Sequence, residues 1–253
     1  MRFASLSTVF TALLIPSAAW AGYITTLVPG SADPWLAGLS GTATASGYTP
    51  GSAGVDTVPG NSPVQVTGLT IGSGTILTFS ASGSAAYGPP PLSGPDLKFS
   101  GPDGTLYNGN FIHHLAGPEN GISDIRTPIN ALLGVFLGSA SPLASAAPGT
   151  LDFSSTGNVT GGTGYTILSP ALQQVFFIGD GLDAMGHPQQ IVAPTGATRL
   201  FLGTADGWEW VGNRGGYDVV VSDAPEPGTL ALLGIGAGLC ACALRRRAKS
   251  AVG

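Results

Sequence analysis

Apolar residues along the chain occur in short runs that glycine or proline interrupts about every ten residues. Residues 217–221 alternate, with Tyr217, Val219 and Val221 on one face and Asp218 on the other. No long amphipathic helix pattern is present in the sequence. The clearest predicted strands are residues 64–66, 75–81, 132–137, 174–178, 198–202 and 217–221. The pattern predicts an all-β fold, which we interpret as a single antiparallel β-sandwich.

Two features refine this prediction. The run 175–178 is apolar on both faces, so we expect it to be a central core strand. Residues 38–63 and 139–148 are rich in small residues and proline, which favour loops and surface connections. The sandwich domain is therefore predicted over residues 22–223, with residues 22–63 partly loop-like.

The start of the chain is typical of a secretory signal peptide over residues 1–21. A positive charge precedes a short apolar run at residues 9–15. Ala19 and Ala21 satisfy the small-x-small rule, which places the cleavage before Gly22. The alternative is an ordinary N-terminal helix, but a proline interrupts the run where such a helix does not tolerate it. We therefore predict a removable signal helix and an exported protein.

The end of the chain, residues 224–253, combines three segments with different physical roles. An extended segment that cannot form a helix contains Pro225, Glu226 and Pro227. The apolar run 229–244 follows and is slightly shorter than the roughly 20 residues that span a bilayer. A basic cluster then acts as a stop signal on the cytoplasmic side, formed by Arg245, Arg246 and Arg247. We predict a transmembrane helix over 229–244, and the alternative is a plain single-pass anchor.

This order of segments resembles the PEP-CTERM sorting signal of Gram-negative bacteria. The resemblance implies that an exosortase-type protease recognises the tail and cuts near Pro-Glu-Pro, in species that make exopolysaccharide. It also implies a protein that its C-terminal helix holds in the inner membrane before processing. Afterwards the protein is expected at the cell surface or in the extracellular matrix.

Charge and cysteine content narrow the partners of the segment between the two ends. Thirteen of the fourteen carboxylates of the chain lie there, against only four basic side chains. Such an acidic segment has no basic stripe for phosphates, so we expect no nucleic-acid partner, and divalent cations fit better. Both cysteines, Cys240 and Cys242, lie in the apolar tail, so no disulfide is expected in the domain.

Two segments of the domain stand apart from generic sandwich sequence. The first, residues 75–89, is a predicted strand that runs into a Tyr-Gly-Pro turn at Tyr87. The second, residues 197–217, is a strand followed by a loop that Asp206 opens and Asn213 closes before an aromatic strand. Short glycine-rich loops with carboxylate, amide and backbone oxygens are suited to calcium.

These two segments resemble the calcium-dependent galactose-binding lectins of bacteria, which are small galactose-binding-like or jelly-roll-type sandwiches. The resemblance implies that Tyr87 and Trp210 donate backbone carbonyls to calcium and that Asp206 and Asn213 supply side-chain ligands. It also implies an extracellular polysaccharide or galactoside as partner. The chain departs from the family pattern because one ligand of the usual amide or acid pair is missing. Arg214 beside the ion would oppose a cation.

The remaining candidates have two interpretations each. Trp208 in the loop is suited to stacking on a sugar ring, whereas Trp210 is suited equally to the edge of the core. The sugar-reading histidine of the lectin family has no secure counterpart in this chain. His113 or His114 could serve, and adjacent strand residues face opposite ways.

No hydrolase or nucleotide-binding motif is present, so we predict a protein that is not an enzyme. Non-catalytic carbohydrate binding, assisted by calcium, is the leading prediction. A structural matrix or surface protein without a small ligand is the alternative, and a polysaccharide hydrolase comes third.

Overall fold

The computed structural model of the protein describes residues 22–45, 55–88 and 98–223. These residues form β-strands joined by turns and three short 3-10 helices, so the all-β prediction is confirmed for them. The strands are β1 Tyr23–Pro29, β2 Thr44–Ala45, β3 Asp56–Thr57, β4 Val64–Gln65, β5 Ile76–Tyr87, β6 Lys98–Ser100, β7 Ile112–His113, β8 Ile125–Thr127, β9 Leu132–Leu137, β10 Leu151–Asp152, β11 Ile167–Leu168, β12 Val175–Phe177, β13 Gln190–Val192, β14 Arg199–Thr204 and β15 Arg214–Asp223. The 3-10 helices are Pro34–Leu36, Pro142–Ala144 and Gly162–Gly164. The predicted signal helix and transmembrane helix lie outside the described residues.

The larger sheet is built around the two longest strands, β5 and β15. Its strand order is β1-β15-β5-β13-β11, and β6 also pairs with β5. The antiparallel register runs from Arg214 opposite Ala86 to Asp223 opposite Leu77. This register places the start of β15 beside the end of β5, where the two singled-out segments meet.

The second sheet has the order β12-β9-β14-β4 and contains the most apolar strands. All six residues of β9 are buried, and β9 pairs with both β12 and β14. The prediction for residues 175–178 is therefore right about burial, but within the described residues β12 is an edge strand. The strand apolar on both faces that lies centrally is β9, because it has partners on two sides.

Smaller elements depart from a purely antiparallel arrangement. The pairs β8–β10 and β11–β13 are parallel, which corrects the prediction of antiparallel pairing at these places. Residues 38–63 contain β2 and β3, which pair with each other, and are not only loop. The two main sheets share one hydrophobic core, and their arrangement as a sandwich stays a prediction.

Large aromatic side chains fill the core near the junction of the two segments. Trp35, Trp210 and Tyr217 are fully buried there. The Tyr217 hydroxyl donates a hydrogen bond to the carbonyl of Asn130 at 2.7 Å, so the buried polar tip is satisfied. Trp35 follows Asp33, whose carboxylate accepts the Trp35 amide at 2.8 Å and caps the first 3-10 helix.

Candidate functional site

The end of β5 and the loop after β14 are in direct contact. The amide of Gly88 donates a hydrogen bond to Oδ1 of Asn213 at 3.3 Å. Tyr87 and Asp206 lie along the wall of the same cavity. The β5–β15 register explains this proximity, because Ala86 is paired with Arg214. The two segments that the sequence singled out therefore form one site.

Asp206 lies almost fully buried at the start of the loop. Its carboxylate accepts the amide of Trp208 at 3.2 Å, and it also accepts hydrogen bonds from the Gly207 amide and the Asn213 side chain. Burial is the main cause that raises the pKa of Asp206 to about 7, and nearby Asp56 adds to the effect. Asp206 is thus a loop-closing carboxylate that retains its proton into the neutral range.

Trp210 anchors the loop in the core rather than presenting a ring to solvent. Its indole Nε1 donates to the carbonyl of Thr204 at 2.8 Å, and its amide donates to both oxygens of Asp56 at 3.0 Å. The Trp210 carbonyl accepts the amide of Asn213 at 3.0 Å. The Trp210 ring therefore lies in the core, which was one of its two predicted positions. Its carbonyl, which was suggested as a calcium ligand, already accepts a hydrogen bond.

The loop closes beside the guanidinium of Arg214, a residue that is exposed. Nη1 of Arg214 donates to the carbonyls of Gly212 and Asn213, each at 2.9 Å, and to that of Val211 at 3.4 Å. Asn213 Oδ1 is also engaged with Gly88, so its amide oxygen faces a backbone donor. Within residues 22–45, 55–88 and 98–223, no three His, Cys, Asp or Glu side chains converge as a metal site. This arrangement does not fit a calcium ion, because three of the four expected ligands accept hydrogen bonds from N–H groups instead, namely the Trp210 carbonyl, the Asp206 carboxylate and the Asn213 side-chain oxygen.

A cavity of about 500 Å³ opens beside the loop. Trp208 is 40% exposed and Tyr107 is 44% exposed at this cavity. The rings of Tyr107 and Tyr87 meet edge to face, with centroids 5.5 Å apart. The residues that line the cavity are Tyr87, Gly88, Tyr107, Phe111, Ile112, His113, Leu115, Ile129, Asp206, Gly207, Trp208 and Glu209. The walls are mainly aromatic and aliphatic, with carboxylates and one imidazole as polar groups.

The two adjacent histidines have opposite environments, as expected for neighbouring strand residues. The His113 side chain is 57% exposed and lines the cavity, whereas that of His114 is 1% exposed. The His114 ring stacks on Trp35 with centroids 4.0 Å apart. Burial lowers the pKa of His114 below its ordinary value, so the imidazole is neutral at pH 7. Of the two histidines, His113 alone is placed to touch a ligand in the cavity.

Buried carboxylates behind the loop were missed by the sequence analysis. Asp33 and Asp56 are fully buried, and Oδ2 of Asp33 has no hydrogen-bond partner among the described residues. Burial raises the pKa of Asp33 well above its ordinary value and that of Asp56 to about 6, and repulsion from nearby Glu119 acts in the same direction on both. Local sequence signals a cap at Asp33 before Pro34. Nothing local places either carboxylate near Asp206, because tertiary packing brings them together.

Comparisons with known proteins bear on the tail rather than on this site. The chain matches no curated protein and no solved structure. None of the described residues belongs to a helix long and apolar enough to cross a membrane, and the predicted span 229–244 lies outside them. Residues 223–247 match the family model of the PEP-CTERM protein-sorting motif. Through this motif the chain is identified as an exported surface protein that an exosortase sorts.

Proposed function

We propose that the protein is a non-catalytic carbohydrate-binding surface protein that holds extracellular polysaccharide in the cavity beside Trp208. The observation that carries the proposal is an aromatic-walled cavity of about 500 Å³ at the junction of the two segments. Aromatic faces pack against the C–H faces of sugar rings, and a few polar groups then fix orientation. Tyr107 and Trp208 supply exposed ring surface, and His113 supplies a ring nitrogen.

The proposed binding does not depend on calcium. The Trp210 carbonyl and the Asn213 side-chain oxygen, two of the expected calcium ligands, already accept hydrogen bonds from N–H groups. The guanidinium of Arg214 lies 2.9 Å from the carbonyls of Gly212 and Asn213 in the same loop and repels a cation there. The proposal therefore keeps the sugar binding that the sequence predicts and drops the calcium ion. In its place, the side chain of Arg214 binds the loop carbonyls. A chelator is expected to leave the affinity for glycan unchanged.

Charge near the cavity indicates the class of glycan. Asp206 and Glu209 lie in the cavity wall, and Asp33 and Asp56 lie behind it. Above about pH 7, where the pKa values of Asp56 and Asp206 leave both groups ionised, like charges placed together reduce affinity, so the cavity favours neutral sugars over uronate-rich chains.

The test titrates galactan oligosaccharides into the exported protein and compares them with oligogalacturonates of equal length, which add a carboxylate to each unit. We expect saturable binding of the neutral oligosaccharide, with and without a chelator, and weaker binding of the charged one. Trp208→Ala should weaken binding about threefold to tenfold through lost ring contact. Tyr23→Ala is the matched control, because Tyr23 is an exposed aromatic residue outside the cavity.

Two results would contradict the proposal in different ways. If neither oligosaccharide binds, the alternative of a structural matrix protein without a small ligand takes its place. If the oligosaccharides shorten during incubation and Asp206→Asn stops the shortening, the protein is a hydrolase. Chain length is measured by mass spectrometry in the same samples.

A further inference from the structure

The two ends of the domain meet at one edge of the larger sheet. β1 and β15 are antiparallel, with Tyr23 opposite Ser222. One residue beyond this pair, the amide of Asp223 donates to the carbonyl of Gly22 at 3.1 Å. The backbone of Gly22 is therefore fixed beside the last residue of β15.

The side chain of Asp223 lies where a neighbouring positive charge would stabilise its carboxylate. Its Oδ1 is buried and has no hydrogen-bond partner among the described residues. A Cβ placed on Gly22 would lie 3.4 Å from Oδ1 and 3.6 Å from Oδ2 of Asp223, and 3.0 Å from Cδ2 of Leu69. A carboxylate beside an apolar side chain pays a desolvation cost that a hydrogen-bonded cation offsets.

We propose that removal of the signal peptide creates that cation, and that the new α-ammonium group of Gly22 pairs with the carboxylate of Asp223. A signal peptidase hydrolyses the peptide bond between Ala21 and Gly22. Water adds across this bond, so that Ala21 keeps a carboxylate and Gly22 becomes an ammonium group. Before cleavage the same nitrogen is a neutral amide. The cleavage therefore changes the charge beside a buried carboxylate oxygen that has no hydrogen-bond partner among the described residues.

The proposed ion pair links the residue exposed by signal-peptide removal, Gly22, to the residue at which the sorting motif begins, Asp223. Asp223 is the last residue of β15 and also the first residue of the matched sorting motif. The ammonium group of Gly22 holds this residue in the sheet, and the Pro-Glu-Pro segment begins two residues later in the sequence. N-terminal processing thus stabilises the strand that directly precedes the sorting tail in the sequence. This inference depends on the predicted cleavage before Gly22 and is independent of glycan binding.

The test compares the exported protein with a free and with an acetylated N-terminus. Acetylation near pH 7 is selective for the α-amine, because lysine ε-amines remain protonated there. We expect acetylation to lower the melting temperature by about 2 to 4 °C at low salt. The same treatment of Asp223→Asn should have no effect, while Asp218→Asn, an exposed change on the same strand, should respond like the unmodified sequence.

The pH dependence provides a second readout. An ammonium group that gains a partner stabilises the fold below its ordinary pKa of about 8, and this stabilisation is lost as pH rises further. The difference between free and acetylated protein should therefore vanish near pH 10. An equal effect of acetylation on Asp223→Asn and on the unmodified sequence would overturn the proposal. A mature N-terminus at a residue other than Gly22, found by mass spectrometry, would also overturn it.

Discussion

At the scale of single residues, Asn213 has the central position in the site. Its Oδ1 accepts the amide of Gly88, its side chain binds Asp206, and its amide is bound to the Trp210 carbonyl. Asn213→Ala leaves two buried polar groups without their partner. We expect the free energy of unfolding to fall by about 1 to 3 kcal/mol, measured by urea denaturation.

The control for this prediction is Asn110→Ala. The Asn110 side chain donates one exposed hydrogen bond, to the carbonyl of Asn108 at 2.9 Å, so its loss should change stability by less than about 0.5 kcal/mol. Equal effects of the two substitutions would show that Asn213 does not hold the segments together.

The candidate site could be predicted from sequence only where its chemistry is local. Asp206 and Asn213 were found because they open and close a short loop, and Tyr87 because Gly-Pro follows it at the end of a predicted strand. The structure brings the end of β5 into contact with this loop. The position of Arg214 among the loop carbonyls depends on the conformation of its side chain, which sequence does not specify. Asp56 was missed because it lies 154 residues from Trp210, whose amide it accepts.

At the scale of strands, the β5–β15 ladder depends on glycine where the backbones approach each other closely. Gly83 has a positive φ of 107°, and a Cβ there would lie 2.6 Å from the carbonyl oxygen of Gly216. We expect Gly83→Ala to lower the free energy of unfolding by about 2 kcal/mol or more, because backbone strain and a steric clash act together.

The matched substitution is Gly101→Ala, where a Cβ meets no atom within 4 Å. It should leave the melting temperature nearly unchanged, as measured by thermal denaturation. A loss of stability as large as that of Gly83→Ala would show that neither the contact with β15 nor the positive φ of Gly83 is the cause.

Strand prediction succeeded where apolar side chains dominate and fell short where small residues do. The predicted strand 132–137 coincides with β9, all of whose residues are buried. β5 extends to Tyr87, six residues beyond the predicted end, through a run of Ser, Ala and Gly. That run is held by pairing with β15 and β6 rather than by its own hydrophobicity. β1 was not predicted because it has only short alternation beside the signal peptide.

At the scale of the whole molecule, acidity affects folding as well as binding. Four basic side chains oppose thirteen carboxylates between the predicted ends, and several of those carboxylates are buried near one another. Burial raises the pKa of Asp206 to about 7 and that of Asp56 to about 6. The folded protein therefore binds protons more tightly at these sites than the unfolded chain, in which an Asp pKa is about 3.9.

The sign of the resulting pH dependence follows from this difference. A carboxyl group with a raised folded pKa stabilises the fold fully below the unfolded pKa and loses that contribution as pH rises through the folded value. We expect the melting temperature to fall between about pH 5 and pH 8. Glu119 and Glu209 face the same groups and repel them, and His114, whose pKa burial lowers, opposes the trend at mildly acidic pH.

Replacing one carboxylate tests this assignment. Asp206→Asn removes the titrating group and retains an oxygen that can accept the Trp208 amide, so its melting temperature should change less between pH 5 and pH 8. Asp218→Asn, on the exposed side of β15, should keep the full dependence. A slope that is unchanged in Asp206→Asn would show that the proton retained by the fold lies elsewhere, with Asp33 and Asp56 the next groups to replace. The pH at which stability falls would then locate the group, since a fall near pH 6 corresponds to Asp56.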